Sequence, residues 1–426
     1  MLDFKSFVGL LVIIYLVGML VIRSRKPRLP VWSIMTFSMF MVLATGLVPI
    51  DDMGSMISID VILFLIGMFS IVAILDYSGI LDYIATWFIV RFGSRYSILL
   101  ALSFIYGVLS AYTVNDALTL MGVPIAISIY RAIGIDIKII LLLTAFSITI
   151  GSVMTPVGNP QNMLISSLSG MPSPFILFLK KLTIPTLINL IVTPIVLIKI
   201  YKIKNKKTGL GFVPGELIKD KKEAILGTTC FVITIALFIL NDVLETYGFP
   251  HVSRRGFIPF IIASIAYMFS KHPRKILQKV SWGTIMFFIA MFITMEGIWR
   301  SGILNPVLAF ILPTKIEGFS GILRITTASL LFSQFLSNVP FTKLFISYMK
   351  SLGYTGTDTD VWITLAMATT IAGNLTILGA ASNIIMLEVV EERKGKSITF
   401  TEFMKIGTLI TLVNTCIYLP FIFLIN

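Results

Sequence analysis

Two apolar stretches of this chain carry asparagines beside glycines or prolines where a transmembrane helix would be expected to continue. The first is SITIGSVMTPVGNPQNMLI (147–165), and the second is AGNLTILGAASNIIML (372–387). Proline removes a backbone donor, and glycine lets the backbone open and approach an ion closely. Each interruption therefore frees carbonyl groups that can ligate a cation, while the restarted half-helix directs its amide end at an anion. Asparagine and serine side chains add neutral oxygen and nitrogen groups.

Two further polar motifs interrupt apolar segments. The motif TVND (113–116) joins apolar arms at 96–112 and 117–134, and LSNVP (336–340) stands at the corresponding place in a second such segment. Polar, non-helical backbone persists at membrane depth only where it is buried in protein or lines a cavity. Because the second motif has no charge to hold it in water, we interpret both segments as re-entrant hairpins whose asparagines meet near the membrane midplane.

The elements that must position these residues are apolar helices. The chain has 426 residues, of which 56% are hydrophobic and 13% charged, and its mean hydropathy is +0.95, whereas a soluble protein carries about 25% charged residues. Repeated apolar runs of bilayer-crossing length predict an all-α polytopic membrane protein. The first run, 4–22, is expected to be a spanning helix and not a removable signal peptide, because no small-residue cleavage site follows it.

The basic residues predict an orientation. With the amino terminus outside, and with both hairpins returning to the side that they leave, the inside loops hold 24 of the 34 lysines and arginines. The positive-inside rule favours this arrangement, which makes the loop 202–222 cytoplasmic. The net charge of +13 then belongs to these loops. We therefore expect the lipid bilayer, and no nucleic acid, as the partner of this basic chain.

Matching segments at nearly one offset indicate two structural repeats. FLIGMF matches FFIAMF, SGIL recurs as SGIL, and TVNDALT matches LSNVPFT, each pair 223 residues apart, so that Asn115 aligns with Asn338. After a slip of one or two residues the two interruptions also align, with Asn162 over Asn383. In the predicted orientation the first repeat starts outside and the second inside. Such inverted repeats are the basis of many secondary transporters.

The predicted architecture has about ten spanning helices, two re-entrant hairpins and two broken helices, and each repeat is expected to form one half of a binding site. The predicted parts are amino-terminal spanning helices (1–58), the first inverted-topology repeat (59–201) with its hairpin (96–134) and broken helix (139–168), a basic cytoplasmic loop with two linking helices (202–280), and the second inverted-topology repeat (281–425) with its hairpin (320–352) and broken helix (361–388).

These motifs together resemble the ion transporter superfamily, particularly its citrate-transporter-like branch, which includes arsenite permeases, the melanosomal P protein and NhaD-type sodium/proton antiporters. The divalent-anion/sodium symporters are more distant. The stretch 372–387 is similar to the second-repeat signature of arsenite permeases and P proteins, and TPVGNPQNMLI (155–165) to the first-repeat signature of anion permeases. The resemblance covers most of the chain from about residue 31. It implies a scaffold, a transport domain that moves by an elevator-like shift, and a homodimer.

The resemblance assigns substrate- or ion-binding roles to the hairpin tips and helix breaks. The assigned residues are Thr113, Asn115, Asp116, Gly158, Asn159, Asn162, Ser337, Asn338, Gly379, Ser382 and Asn383. The divalent-anion symporters carry Ser-Asn-Thr at each tip, whereas this chain has Val-Asn-Asp and Ser-Asn-Val. A dicarboxylate substrate and a two-sodium stoichiometry are therefore not carried over.

Asp116 and Lys343 carry the charges nearest to the predicted tips. A carboxylate at membrane depth is costly unless it is paired, hydrated or functional. We therefore interpret Asp116 as a cation- or proton-binding residue, with a hairpin N-cap as the alternative. Lys343, five residues past Asn338, could pair with Asp116, replace a second cation, attract an anionic solute, or extend to the outer interface.

The sequence predicts a secondary active transporter for an anion or oxyanion-like solute, such as arsenite, a carboxylate or an inorganic anion, coupled to H⁺ or Na⁺. The alternative is a Na⁺/H⁺ antiporter. The chain has no Walker motif, and His251 and His272 have no accompanying metal-ligand cluster, so we expect no resident metal and no cofactor besides Na⁺ as a coupling ion. An intramembrane enzyme with Lys343 as its base is the remote alternative.

Overall fold

The computed structural model describes residues 3–25, 29–113, 115–208, 217–316, 318–380, 382–383, 386 and 398–424. In this part of the chain the regular elements are helical, and β pairing is limited to one bridge between Ser94 and Lys207, so the predicted all-α class is confirmed. The helices are α1 (Phe4–Arg25), α2 (Val31–Ala44), α3 (Met53–Met56), α4 (Ile59–Ser78), α5 (Ile80–Ile89), α6 (Arg95–Ser110), α7 (Asn115–Ile133), α8 (Ile137–Ser152), α9 (Pro160–Leu168), α10 (Pro174–Ile200), α11 (Lys221–Thr246), α12 (Phe257–Phe269), α13 (Pro273–Lys279), α14 (Trp282–Arg300), α15 (Asn305–Ile311), α16 (Gly318–Leu336), α17 (Asn338–Ser351), α18 (Thr359–Ile371) and α19 (Phe400–Leu424).

Among the described residues, seven helices are long and apolar enough to cross a membrane, namely α1, α4, α10, α11, α14, α16 and α19. Shorter apolar helices, α2, α5, α6, α8 and α12, accompany them. In α4, 67% of the apolar window is buried inside the protein, against 22% in α1. Helix α4 therefore lies at the centre of the bundle, whereas α1 lies at its edge and presents most of its surface to lipid. The chain is a multi-pass membrane protein.

Both predicted broken helices are interrupted at the expected places. Helix α8 ends at Ser152, and α9 begins at Pro160 with Asn159 as its N-cap. Proline suits the first position of a helix, where its missing N–H would have had no partner. Helix α18 ends at Ile371 and is followed by the 3₁₀ turns Ala372–Asn374 and Ile377–Gly379. Beyond them the backbone is helical again at residues 382, 383 and 386, while the rest of the second predicted half-helix lies outside the described residues.

The predicted hairpins correspond to α6 with α7 and to α16 with α17. Helices α6 and α7 pack against α8, and α16 and α17 pack against α18. Helix α9 packs against α17 and α18, so the first break lies against the second hairpin and the second broken helix. The order of elements is the one expected for two repeats, and the division into inverted repeats remains a prediction.

Four short helices, α3, α5, α13 and α15, were not predicted. Helices α5 and α15 each follow the first long helix of a predicted repeat and lead to its hairpin. Gly79 separates α4 from α5 in the left-handed conformation, with φ +77°, and a Cβ there would lie 2.0 Å from the Leu217 carbonyl oxygen. Only glycine therefore fits this turn.

Carboxylates fix several helix ends outside the breaks. Asp242 Oδ2 accepts from the backbone N–H groups of Phe175 (2.6 Å) and Ile176 (3.1 Å) at the start of α10, and Asp242 Oδ1 is 3.3 Å from Arg255 Nε. These bonds supply acceptors to amides that have no helical partner. The loop before α12 is thereby tied to the ends of α10 and α11.

Candidate functional site

The tip of the first hairpin is held by hydrogen bonds to the end of α8. Asn115 is buried; its Oδ1 lies 2.8 Å from Ser110 Oγ, and its Nδ2 donates to Ser152 Oγ at 3.2 Å. Ser110 Oγ also lies 2.6 Å from the carbonyl oxygen of Ile148. The polar tip is thus enclosed by protein, with both ends of its amide paired.

The first helix break is closed by the side-chain amides of two predicted site residues. Asn162 Nδ2 donates to the carbonyl oxygens of Ser152 and Thr155, both at 3.0 Å. Asn159 Nδ2 lies 3.1 Å from the Ser152 carbonyl oxygen, and Asn159 Oδ1 accepts from the Asn162 backbone N–H at 2.9 Å. A Cβ at Gly158 would lie 2.4 Å from the Ser152 carbonyl oxygen, so only glycine fits here. Carbonyls that lose their helical partners are therefore paired inside the break.

Thr370, near the end of α18, joins the first break to the second broken helix. Its Oγ1 lies 3.1 Å from Asn159 Nδ2 and 3.5 Å from Gln161 Nε2, and it is 3.1 Å from Asn162 Oδ1, to which it donates. All four side chains are buried. Sequence reasoning missed Thr370 and Gln161, because nothing local to either residue signals a partner 208 or 209 positions away.

The second break repeats the same amide clamp. Asn383 Nδ2 contacts the carbonyl oxygens of Gly373 at 2.7 Å and Thr376 at 3.4 Å. These carbonyls precede Asn383 by ten and seven residues, which are also the spacings in the first break. A Cβ at Gly379 would lie 2.6 Å from the Ala372 carbonyl oxygen. The two predicted asparagines and the two predicted glycines therefore occupy equivalent positions.

Gln334 of α16 connects the second hairpin to the second break, and sequence reasoning missed it. Its Nε2 donates to the carbonyl oxygen of Ala372 at 2.9 Å, and its Oε1 accepts from Thr376 Oγ1 at 2.7 Å. The available signal was an uncharged polar residue in an apolar arm, four positions before Asn338. Ser382, a predicted site residue, is buried in the same break.

The second hairpin tip leaves its amide oxygen unpaired. Asn338 is buried, and its Oδ1 has no hydrogen-bond partner among the described residues. A Cβ on Gly373 would lie 3.5 Å from Asn338 Nδ2 and 3.4 Å from Thr149 Cγ2. The preceding Ser337 has φ +70° and ψ 157°, a region that residues with a Cβ rarely adopt. This tip lies near Thr149, and the first tip bonds to Ser152, so the structure brings both tips to the last turn of α8.

The remaining predicted residues are less closely connected to these groups. Thr113 donates to the carbonyl oxygen of Leu109 at 2.7 Å, as a hydroxyl at a helix end commonly does. Lys343 Nζ donates to Ser347 Oγ at 3.3 Å, one turn farther from the tip along α17. The side chain of Asp116 lies outside the described part of the structure, so its role and any pairing with Lys343 remain predictions.

The described residues contain no group of three or more histidine, cysteine, aspartate or glutamate side chains that could hold a metal ion. Carbonyl, amide and hydroxyl oxygens are the groups gathered at the two breaks. Oxygen ligands of this kind suit hard cations, so a Na⁺ ion at this place would be held without a described carboxylate.

An all-helical, membrane-crossing bundle with two interrupted helices and buried amides between them is the architecture of a membrane transporter. The chain belongs to the citrate transporter family (CitMHS), whose model matches residues 18–368. The family and the relatives below are transporters, and the chain is accordingly a transporter and not an enzyme. The resemblance drawn from the sequence is thereby confirmed at the level of the family.

Individual relatives agree with this assignment. An uncharacterized transporter of Mycobacterium tuberculosis is 27% identical over 371 residues, which is 83% of each chain. The silicon efflux transporter LSI3 of Oryza sativa subsp. japonica is 33% identical over 156 residues, or 35% of this chain and 32% of LSI3. Among solved structures, the YdaH transporter of Alcanivorax borkumensis matches with a TM-score of 0.52 at 12% identity, over 85% of this chain and 84% of that chain. This last likeness concerns the fold alone.

Proposed function

We propose that the chain is a secondary active transporter that moves a small anion or oxyanion-like solute by alternating access, coupled to H⁺ or Na⁺. The observation that carries this proposal is the pair of matching amide clamps, at Asn162 and Asn383, in two buried helix breaks. Discontinuous helices of this kind are the places where secondary transporters bind substrate and coupling ions.

The names of related proteins support a solute that presents several oxygen atoms. The family is described as that of a citrate transporter, and one relative is named a silicon efflux transporter. Citrate and dissolved silicon are both small solutes with oxygen on their surface. Arsenite, another candidate from the sequence, has the same character. Amide and hydroxyl groups that have no further partner suit such surfaces.

The coupling mechanism that we propose uses the first hairpin tip. Asp116 follows Asn115 there, and a carboxylate at membrane depth is costly unless it is paired, hydrated or functional. Asp116 then binds the proton or Na⁺ that drives transport, and the two breaks and two tips move together against a scaffold. A homodimer, as the family resemblance implies, would supply that scaffold.

Asp116→Asn tests this function. We expect the variant to insert and fold but to lose gradient-driven transport, because an amide can neither take up a proton nor neutralise a cation. Proteoliposomes containing the full chain would be loaded with arsenite, silicate, citrate or phosphate, and solute movement would be followed under an imposed pH or Na⁺ gradient. Asp51→Asn, the same change at an exposed residue of the 3₁₀ turn Ile50–Asp52, is the matched control. Wild-type rates for Asp116→Asn would contradict the proposed coupling role.

A Na⁺/H⁺ antiporter is the second candidate. It is favoured by the unpaired amide oxygens of Asn338 and Asn374, which are ligands for a hard cation. An antiporter would change the internal pH of proteoliposomes when a Na⁺ gradient is imposed without any solute. The transporter proposed above requires solute for the same pH change, so this measurement separates the two functions.

A further inference from the structure

The two half-sites differ at two positions within an otherwise repeated arrangement. The amide clamps align the breaks at an offset of 221 residues, which places Gly373 opposite Ser152 and Ala380 opposite Asn159. The backbone is extended at both members of the second pair, with φ −154° and ψ 161° at Asn159 and φ −142° and ψ 139° at Ala380. The second break thus keeps the backbone course but lacks one hydroxyl and one amide.

In the first half-site, these two side chains pair the polar groups around them. Ser152 Oγ accepts from Asn115 at 3.2 Å and lies 3.1 Å from Asn159 Nδ2. Asn159 Nδ2 in turn lies 3.1 Å from Thr370 Oγ1. None of these four residues has a buried side-chain oxygen or nitrogen without a partner. In the described part of the first half-site, these four side chains are therefore paired within the protein, without a ligand.

In the second half-site, the corresponding groups are buried and unpaired. Thr149 is the counterpart of Thr370, and its Oγ1 has no partner among the described residues. The same holds for Asn338 Oδ1, the counterpart of the Asn115 amide, and for Ser333 Oγ on α16. Buried polar groups are rarely left unpaired because their desolvation is costly. Among the described residues, these groups lack the hydrogen bonds that their counterparts make in the first half-site.

Two of the residues that carry unpaired atoms, Thr149 and Asn338, border the place of the absent side chains. A Cβ on Gly373 would lie 3.1 Å from Ala380 Cβ, 3.4 Å from Thr149 Cγ2 and 3.5 Å from Asn338 Nδ2. The next residue, Asn374, is fully buried, and neither its Oδ1 nor its Nδ2 has a hydrogen-bond partner in the part of the chain that the structure describes. Three residues with unpaired donors or acceptors, Thr149, Asn338 and Asn374, therefore adjoin Gly373, in contact with it or next to it in the chain.

We propose that each chain holds a single small, uncharged, hydroxyl-bearing solute at the second half-site, where Thr149, Asn338 and Asn374 bind it in the place of the side chains that Gly373 and Ala380 lack. This inference rests on the proposed function, for which it supplies the class of the solute and its position.

The class of solute follows from the unpaired atoms. A bare cation pairs with oxygen lone pairs alone, and a bare anion pairs with N–H and O–H groups alone. Asn374 offers one acceptor oxygen and one donor nitrogen, and Thr149 Oγ1 can donate or accept a hydrogen bond. The side chains proposed to bind carry no formal charge. A neutral solute with several hydroxyl groups can both donate to the unpaired oxygens and accept from the unpaired N–H group, and it introduces no unpaired charge into the membrane.

A pair of isosteric variants tests the position. Thr149→Val removes a hydroxyl that has no partner, whereas Thr370→Val removes one with three contacts. Purified full-length protein would be titrated with boric, arsenous or orthosilicic acid near neutral pH, where all three are largely uncharged. We expect one molecule per chain in the wild type. For Thr149→Val we expect about 2- to 10-fold weaker binding, as for a lost hydrogen bond, with an unchanged ligand-free Tm. Thr370→Val should lower the ligand-free Tm.

Ala380→Asn supplies the amide that the second half-site lacks. Because it would pair with Thr149 as Asn159 pairs with Thr370, we expect a higher ligand-free Tm together with loss of acid binding. A misfolded variant would lose both its thermal stability and its acid binding. A higher Tm together with lost binding therefore shows that the new side chain fills the site.

The outcomes distinguish this inference from the proposed function. Two bound molecules per chain, or wild-type affinity in Thr149→Val, would contradict the proposed location of one solute molecule at the second half-site. Stabilisation by Na⁺ or citrate alone, lost in Thr149→Val, would overturn the solute class. If the acids bind as expected but no gradient moves them or any other solute, the transport function fails while the site stands. If Asp116-dependent transport of another solute occurs without acid binding, the function stands and this inference fails.

Discussion

Asn162 and Asn383 supply the donors that the interrupted backbones of α8 and α18 lack. Each amide spans two carbonyl oxygens that an unbroken helix would have paired with backbone N–H groups. Asn162 additionally accepts from Thr370 at 3.1 Å. The two residues therefore play the same structural role, and among the described residues Asn162 makes one more side-chain contact of this kind than Asn383.

Alanine at each position should show this difference. Asn162→Ala removes two donations and one acceptance, and since each buried group left unpaired costs about 1–3 kcal/mol, we expect a loss of about 2–4 kcal/mol. Asn383→Ala removes one short and one long contact, and we expect about 1–2 kcal/mol. Unfolding of the ligand-free protein in detergent measures both. Equal losses, or a larger loss for Asn383→Ala, would contradict the assignment of contacts.

At the residue scale, the sequence identified the asparagines of the two amide clamps but not the Thr370 hydroxyl that bonds to the first of them. Asn159 and Asn162 stand out because they flank proline and glycine in an apolar run. Thr370 does not, since threonines in apolar helices usually bond to the preceding turn. Its role depends on contacts between segments about 200 residues apart, which a local sequence pattern does not reveal.

Helix ends in this protein are fixed by carboxylates as well as by amides. Asp242 on α11 accepts two backbone N–H groups at the start of α10 and pairs with Arg255. Asp60 on α4 accepts from the Gly256 N–H at 2.7 Å and from Ser167 Oγ of α9 at 2.9 Å. One carboxylate thus positions α10, and the other connects the end of α9 to the start of α12.

Asp242→Asn tests the first of these contacts. The amide keeps one acceptor oxygen but loses the charge that pairs with Arg255 and attracts the start of α10. We expect a loss of about 1–2 kcal/mol, typical of a lost cap, with solute affinity retained because Asp242 lies outside both breaks. Thermal unfolding of the purified variant measures the loss of stability, and titration with the same acids measures its solute affinity. Unchanged stability would show that the cap does not contribute.

One helix begins earlier than the lysines in its sequence suggest. Lys180 and Lys181 would place the start of a spanning helix after them, but α10 begins at Pro174. Lys181 is buried, because it pairs with Asp360 and lies 3.4 Å from the Ile422 carbonyl oxygen. A paired lysine no longer marks a membrane boundary.

The two halves of the chain are packed into each other. Helix α9 of the first half lies against α17 and α18 of the second, and Thr370 bonds to the first break. Motion of one break without the other would leave buried polar groups unpaired. We therefore expect both breaks to move as one body.

Orientation is a property of the whole molecule that single cysteines can test. With Cys230 and Cys416 replaced, we expect a cysteine at exposed Lys204 to resist an impermeant maleimide in intact cells, since positive loops remain inside. A cysteine at exposed His251 should react. Inside-out vesicles should reverse both results. Labelling at position 204 in intact cells would mean that the amino terminus is inside.

The class and family of the whole molecule followed from the sequence, because hydropathy and two interrupted motifs report directly on a membrane environment. The difference between the half-sites did not follow. Small residues such as Gly373 and Ala380 are common in a helix break, and only the geometry that places them opposite Ser152 and Asn159 shows which polar groups the second break lacks.

The bond between Asn162 and Thr370 also sets a condition on biosynthesis. The two residues are 208 positions apart, and a ribosome adding about 5–20 residues per second needs roughly 10 to 40 s to make that length. Until then the first break lacks its partner, and unpaired polar groups are costly in lipid. We therefore expect the first break to stay shielded from lipid until the second half of the chain has been made. The speed of translation through the second half would then influence how much protein matures.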